Sequence, residues 1–451
     1  MTLRRQPPGN GRPAADASVT QQPPARPVAQ AHPGGPAAAP PPSAGERRHA
    51  AATIPSRRTV IGSLTAGLGG LAATGAAAQP GGEALPPTPT GRPAPELERP
   101  PQQAVEARLG WAVAGLGHFA QAYALPALNR ALLSRPAGLI SGNPEKLREV
   151  GARYAIGEPH RHGYDMARLR DDAAVQVVYV ITPNATHAEL TVRALEAGKH
   201  VMCEKPMATS AAECQRMIDA ARAAGRRLMV AYRAHWEPYN VEARRMVEAG
   251  ELGRIWFASA DHHRPLNPSQ PRDQWRARKD IAGGGSLVDI GIYSLNGLIW
   301  LLGEEPVSVA ATLHAPADDP RFAEVENVVM AQLVFGSGAR ANISSGYTAD
   351  KKRIDLWGDK AVAVLDPATA YKDNALTVST AKEKREAILE AASAEQFTGV
   401  IDHLSRAIRE DRAVATPGEM GLRDLRLIEA IYHSARTGRR VGLNPEMTMQ
   451  G

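Results

Sequence analysis

Cysteine is almost absent: there are two in 451 residues, Cys203 and Cys214. They stand eleven apart, with no disulfide framework and no zinc spacing, and both read as packed thiols. No Gly-x-Ser-x-Gly elbow and no His-Glu-x-x-His pair occurs. His262-His263 ends an expected strand with no third ligand spaced beside it, so no metal site is expected. Excess charge is also missing from most of the chain. The formal charge is +6, but residues 1–78 carry eight arginines and two acids, so the rest has equal numbers of basic and acidic residues. A neutral body gives no electrostatic case for nucleic acid or anionic lipid.

The positive head is distinctive. Residues 1–55 are rich in Ala, Pro, Gly and Arg without periodicity, and are expected to be disordered. Ser56-Arg57-Arg58-Thr59-Val60-Ile61-Gly62 reads as a twin-arginine export signal. The run 60–78 has no charge and ends on small residues suited to cleavage. A membrane span is the alternative, but the run is Gly- and Ala-rich, short, and followed by Pro. Residues 79–108 are Pro-rich and read as an extended arm or spacer.

From 110 onward, strand and helix patterns alternate. Strands are expected at 110–114, 137–141, 176–181, 199–203 and 227–231, with helices at 144–154, 186–197 and 210–224. This spacing predicts a doubly wound parallel sheet, a Rossmann domain over 109–231. The pattern then changes. Helices are expected at 238–249, 285–302, 396–410 and 419–436. Strands are expected at 253–262, 306–314, 325–335, 339–347, 352–358 and 361–365. Successive strands with short turns predict a C-terminal α/β domain over 232–445 with a large open, mainly antiparallel sheet. The cleft between the domains is the default site.

Three motifs carry chemistry. Gly115-Leu116-Gly117-His118-Phe119-Ala120 follows a strand and reads as a dinucleotide turn: Gly115 for tightness, Gly117 for close approach of a pyrophosphate, Ala120 for helix packing. At the end of the second strand, Ser141 stands where an NAD site carries an acid, with Lys146 and Arg148 close behind. That favours NADP. Glu204-Lys205-Pro206 ends an apolar strand at the edge where such sheets bind ligands. Lys205 can hold a substrate hydroxyl and lower a neighbour's pKa. Finally, Asp289 and Tyr293, four apart after three glycines, are expected on one helix face. A tyrosine beside a cationic lysine can serve as the acid/base for a carbinol proton.

These stretches, together with 197–210, 282–293, 302–306 and 426–432, resemble the Gfo/Idh/MocA oxidoreductase family, in particular its glucose–fructose oxidoreductase branch. The resemblance runs from about Pro86 to Arg440. It implies a periplasmic enzyme with tightly held NADP. That enzyme oxidises an aldose such as glucose to its lactone, then reduces a second sugar such as fructose to sorbitol, in ping-pong order. The family's catalytic positions fall on Lys205, Asp289 and Tyr293. Its 2′-phosphate contacts fall on Ser141, Lys146 and Tyr164. Further cofactor contacts fall on Pro183, Asn184, His187 and Glu204, and Arg233, Trp275 and Arg276 match the nicotinamide and sugar end. Residues 90–93 resemble an arm over the adenine. The family's open sheet implies a homo-oligomer. His118-Phe119, Ala122-Tyr123 and the loop His262-His263-Arg264-Pro265 depart from that branch, and close relatives couple two aldoses instead. An exported glycosidase using bound NAD is the alternative of another class.

Overall fold

The computed structural model describes residues 103–450 except 167 and 388–394. The head, the export signal and the arm as far as residue 102 lie outside the described residues.

The first sheet has six parallel strands: β1 (Leu109–Ala114), β2 (Ser134–Ile140), β3 (Arg161–His162), β4 (Val177–Val180), β5 (His200–Cys203) and β6 (Leu228–Val230). Their spatial order is β3-β2-β1-β4-β5-β6. The order reverses between β1 and β4, so the carboxyl ends of β1, β4 and β5 open onto one crevice. β1, β4 and β5 are buried on both faces, apart from half-buried Leu109 and His200 at their starts, as their apolar runs require. Helices α1 (Leu125–Arg130), α2 (Pro144–Arg153), α3 (His187–Glu196) and α4 (Ala211–Ala224) join the strands. Ahead of α1 lies a π-helical turn, Ala120–Ala124, closed by Leu125 N–H donating to the Ala120 carbonyl. Pro126 accounts for it: it has no N–H to donate to the Ala122 carbonyl, and its ring would crowd that oxygen in a regular helix.

After α5 (Pro238–Glu248) come strand β7 (Ile255–His263), two single-turn helices α6 (Pro271–Gln274) and α7 (Lys279–Ala282), and the long helix α8 (Ile292–Leu302). A second π-helical turn, Leu287–Gly291, leads into α8. The second sheet continues with β8 (Pro306–His314), β9 (Val328–Phe335), β10 (Arg340–Gly346), β11 (Lys351–Gly358), β12 (Val362–Leu365), β13 (Leu376–Ser379), β14 (Lys384–Ala387) and β15 (Val441–Gly442). The order is β14-β13-β12-β11-β7-β10-β9-β8-β15. Every pair is antiparallel except β10 with β7. The stretch Lys279–Leu302 is long and apolar enough to cross a membrane, but 83% of its apolar window is buried in the fold, which makes it a core helix.

Helices α9 (Glu395–Arg409) and α10 (Gly418–Thr437) close the chain. Although α9 comes late in sequence, its face Phe397, Val400, Ile401 and Leu404 packs into the first core with Trp111, Leu125 and Leu128. Asp402 fixes it there, accepting from Leu132 N–H at 2.7 Å, Leu133 N–H at 3.0 Å and Ser134 Oγ at 2.9 Å. Cys203 and Cys214 are both buried free thiols, as read from the sequence.

Candidate active site

A cavity of about 990 Å³ lies at the carboxyl edge of the first sheet, roofed by residues of the second half. That volume is at the upper end of small-molecule sites. On one wall are the glycine turn, Ser141, Lys146, Tyr164, Pro183, Asn184, His187, Glu204 and Lys205; on the other are Arg264, residues 270–273, Trp275, Arg276, Asp289, Tyr293 and Tyr371.

The glycine turn has the form a dinucleotide requires. Gly115 has φ +96°, and a Cβ there would meet the Ile181 carbonyl oxygen at 2.6 Å. A Cβ on Gly117 would meet nothing within 4 Å. Protein packing therefore demands glycine at 115 but leaves the backbone of 117 open to a ligand. Ala120 is fully buried, as close helix–strand packing needs. Ser141 Oγ accepts from Asn143 N–H at 3.1 Å, so its hydroxyl proton remains available to donate. Lys146 lies on the first turn of α2, whose N-cap Asn143 accepts its backbone N–H. These residues fit an adenosine 2′-phosphate.

Glu204 and Lys205 project from the end of β5. Tyr179 OH donates to Glu204 Oε1 at 2.6 Å, and Lys205 N–H donates to Glu204 Oε2 at 3.2 Å. Burial raises the Glu204 carboxyl, with Tyr179 and Lys205 pulling it back. Lys205 Nζ donates to the Asp289 carbonyl at 2.5 Å and lies 4.6 Å from the Tyr293 ring centroid. Burial lowers the Lys205 ammonium, while Asp289 and Glu204 favour its charge.

Asp289 and Tyr293 both reach the cavity, although a π-helical turn replaces the regular spacing expected between them. Their surroundings differ sharply. The Asp289 carboxylate accepts from Arg264 at 3.0 Å, from Arg276 Nε at 3.1 Å and from Tyr347 OH at 3.1 Å. Burial alone would raise this carboxyl; Arg276, Arg264 and Lys205 together hold it far below the usual carboxylate range. Buried Asp273 accepts from the same Arg264, at 3.1 Å, and from Arg276, at 3.5 Å, closing a four-residue charge network. No carboxylate is hydrogen-bonded to Tyr293 among the described residues. His262 stacks on its ring at 4.9 Å, and the Arg233 guanidinium lies 4.9 Å from its centroid. Burial raises the Tyr293 phenol and Arg233 offsets part of that.

Of the residues named from sequence, Arg148 and Arg233 do not line the cavity. Arg148 lies exposed, 3.8 Å from Glu149. Arg233 is 4% exposed, behind Tyr293 and Tyr371, donating to the Thr369 carbonyl at 2.8 Å and to Gln396. Its Nε has no hydrogen-bond partner among the described residues. Asn184 and His187 line the cavity but are tied elsewhere. Asn184 Nδ2 donates to the Ala282 carbonyl at 2.9 Å, and the His187 ring lies between the Pro206 and Thr182 carbonyls at 2.9 and 2.8 Å. His262 and His263 face opposite sides of β7. His262 is buried, bonded to Thr369 Oγ1 at 2.9 Å, and burial pushes its imidazole to the neutral form; His263 meets Ser344 and Thr348. Sequence reasoning assigned no site role to Arg264, Asp273, Tyr347 or Tyr371. Arg264 at least stood in a loop marked as unusual; Tyr371 carried no signal at all.

Family models match nearly all of the described chain. Residues 109–232 match the Gfo/Idh/MocA model described as oxidoreductase family, NAD-binding Rossmann fold, and 244–443 match its C-terminal alpha/beta domain. The chain is 29% identical over 350 residues to D-xylose 1-dehydrogenase [NADP(+)] of Haloarcula marismortui, spanning 76% of this chain and 95% of that one. It is 30% identical over 285 residues to D-glucoside 3-dehydrogenase of Escherichia coli, spanning 59% and 79%. Among solved structures, it is similar to aldose–aldose oxidoreductase from Caulobacter crescentus complexed with glycerol. That match has a TM-score of 0.72 and 44% identity over 74% of this chain and 100% of the other.

Proposed function

The chain belongs to the Gfo/Idh/MocA oxidoreductase family, and on that premise we propose that it is a sugar oxidoreductase with retained NADP. It oxidises an aldose such as glucose to its lactone, then reduces a second sugar in ping-pong order. The observation that carries this reading is one continuous cavity holding Ser141 and Lys146 at one end and the Lys205–Tyr293 pair at the other. The similarity to an enzyme named for coupling two aldoses supports an aldose as the second sugar; fructose, reduced to sorbitol, is the second reading.

Bound NADP supplies the hydride acceptor for one sugar and the donor for the other. Gly115–Phe119 and Ser141, Lys146 and Tyr164 would hold it. The chain's own residues handle position and protons. As the phenolate, which Lys205 and Arg233 favour, Tyr293 takes the proton of the sugar hydroxyl in oxidation, and as the phenol it returns one in reduction. The Lys205 ammonium donates to that hydroxyl's oxygen and favours the phenolate when it forms. Asp289, permanently ionised, does not exchange protons: it holds Arg264 and Arg276 as fixed donors for the remaining sugar hydroxyls. Its role is thus indirect, through the two arginines.

Export by the twin-arginine route to the periplasm forms part of the proposal, because a protein exported folded can carry its cofactor with it. Trp357 and Met330, 50% and 58% exposed on the sheet face away from the helices, support a homo-oligomer. The test is to purify the protein, add glucose with fructose or with a second aldose, and add no cofactor. Gluconate and a polyol should form together. Denatured protein should release NADP; release of NAD, or of nothing, would overturn the cofactor reading.

A further inference from the structure

The helical segment that leaves the glycine turn carries two large rings. Phe119 and Tyr123 stand one turn apart on it. Tyr371 comes from the loop between β12 and β13, and Phe397 from α9. The four rings form one cluster. Tyr123 lies 4.6 Å from Tyr371 and 5.4 Å from Phe397, Tyr371 lies 5.3 Å from Phe397, and Phe119 lies 5.6, 6.2 and 5.9 Å from Tyr123, Tyr371 and Phe397. Phe119, Tyr123 and Tyr371 also line the cavity. The cluster therefore bridges the cleft beside the glycine turn, joining the first sheet's turn to a loop of the second.

The Tyr371 loop is pinned: Arg233 donates to the Thr369 and Ala370 carbonyls at 2.8 and 3.3 Å, and Gln396 Nε2 donates to the Ala370 and Tyr371 carbonyls at 3.2 and 3.1 Å. The Arg233 guanidinium also stacks 4.3 Å from the Tyr371 centroid. The Tyr123 hydroxyl makes no hydrogen bond among the described residues. Opening the cleft here must part the Tyr371 loop from Phe119, Tyr123 and Phe397, which pack together against the first sheet, and the ring contacts resist it together with the Arg233 and Gln396 hydrogen bonds. These are contacts of the chain with itself, so they act on the barrier to opening in either direction rather than on affinity alone.

We propose that this four-ring cluster is a clasp that gates the dinucleotide in and out, with Tyr123 as its determining residue. The inference rests on the dinucleotide reading above. The test is stopped-flow fluorescence of NADPH release, displaced by excess NADP after glucose has reduced the bound cofactor, and of NADPH association with protein stripped of its dinucleotide, in wild type, Tyr123→Ala, Tyr123→Phe and Tyr371→Leu. In Tyr123→Ala, release and association should both accelerate about tenfold, with the dissociation constant moving less than about threefold. Tyr123→Phe should keep wild-type rates, because the ring acts and not the hydroxyl. Tyr371→Leu removes the opposite ring and should reproduce the acceleration, which keeps the test open if Tyr123→Ala does not fold. Unchanged rates, or weaker affinity at an unchanged association rate, would overturn the clasp alone. Failure of the wild type to bind any nicotinamide dinucleotide would overturn the cofactor reading and the clasp with it.

Discussion

The two walls of the cavity are made of different materials. At its glycine-turn end, the wall on the first sheet presents backbone and short side chains: an open glycine turn, Ser141, and a helix N-terminus carrying Lys146. The facing wall is charge: Arg264, Asp273, Arg276 and Asp289 locked together and largely buried. The first wall suits an invariant partner whose phosphates meet N–H groups at fixed spacing. The second suits substrates that differ, because a rigid set of charged donors fixes hydroxyl positions without changing its own protonation. Tyr293 sits where the walls meet. Unlike Asp289, it enters no salt bridge among the described residues; Lys205 and Arg233 lie 4.6 and 4.9 Å from its ring centroid, cations that favour a phenolate.

The sharpest way to break this comparison is to remove the Tyr293 hydroxyl. Tyr293→Phe is expected to slow both half-reactions by about 10²–10⁴-fold with cofactor and fold intact. Single-turnover reduction of bound dinucleotide by glucose, then reoxidation by the second sugar, reads each half separately. Loss of only one would show that another group serves the other.

Next is the charge wall. Asp289→Asn leaves Arg264 and Arg276 sharing Asp273 alone, and should cost about 3 kcal/mol of stability. The folded carboxyl lies below its unfolded value, so its contribution is complete above about pH 4 and is lost as pH falls through the folded value. The stability gap between wild type and variant, measured by urea unfolding, should therefore be flat from about pH 5 to 8 and narrow only in strong acid. A gap that changes near neutrality would mean that the carboxylate is not held as described.

The cofactor wall gives smaller effects. Ser141→Asp should move preference toward NAD by about ten- to a hundredfold, since a carboxylate repels a 2′-phosphate and accepts from a free ribose hydroxyl. Lys146→Ala should weaken NADP relative to NAD by only about two- to fivefold, because an exposed cation is screened by water. Equilibrium binding of both dinucleotides checks each. A larger loss at Lys146 than at Ser141 would reverse their assigned importance.

What the sequence determined alone is what depends on neighbours in the chain. Alternating apolar runs specify the parallel sheet, because a strand buried on both faces must be apolar throughout. Gly115-x-Gly117 and Glu204-Lys205-Pro206 are readable because each acts as a local turn at a strand end. Strand β3, with two residues, and β13, β14 and β15, with their short or polar sequences, left no such pattern. The rest was decided by the tertiary structure. Arg264 and Asp289 are 25 positions apart, and Tyr123 and Tyr371 are 248 apart; no periodicity links them. Helix α9 shows the same limit. Its apolar stripe was legible as a helix, yet that stripe fits any apolar surface, and it is the bonds of Asp402 with Leu132, Leu133 and Ser134 and of Ser405 with Trp111 and Ser134 that assign it to the first core. Hydrophobic pattern is non-directional and states which face is buried. Hydrogen bonds and ion pairs are directional and state against what, but they form only once the chain has folded back on itself.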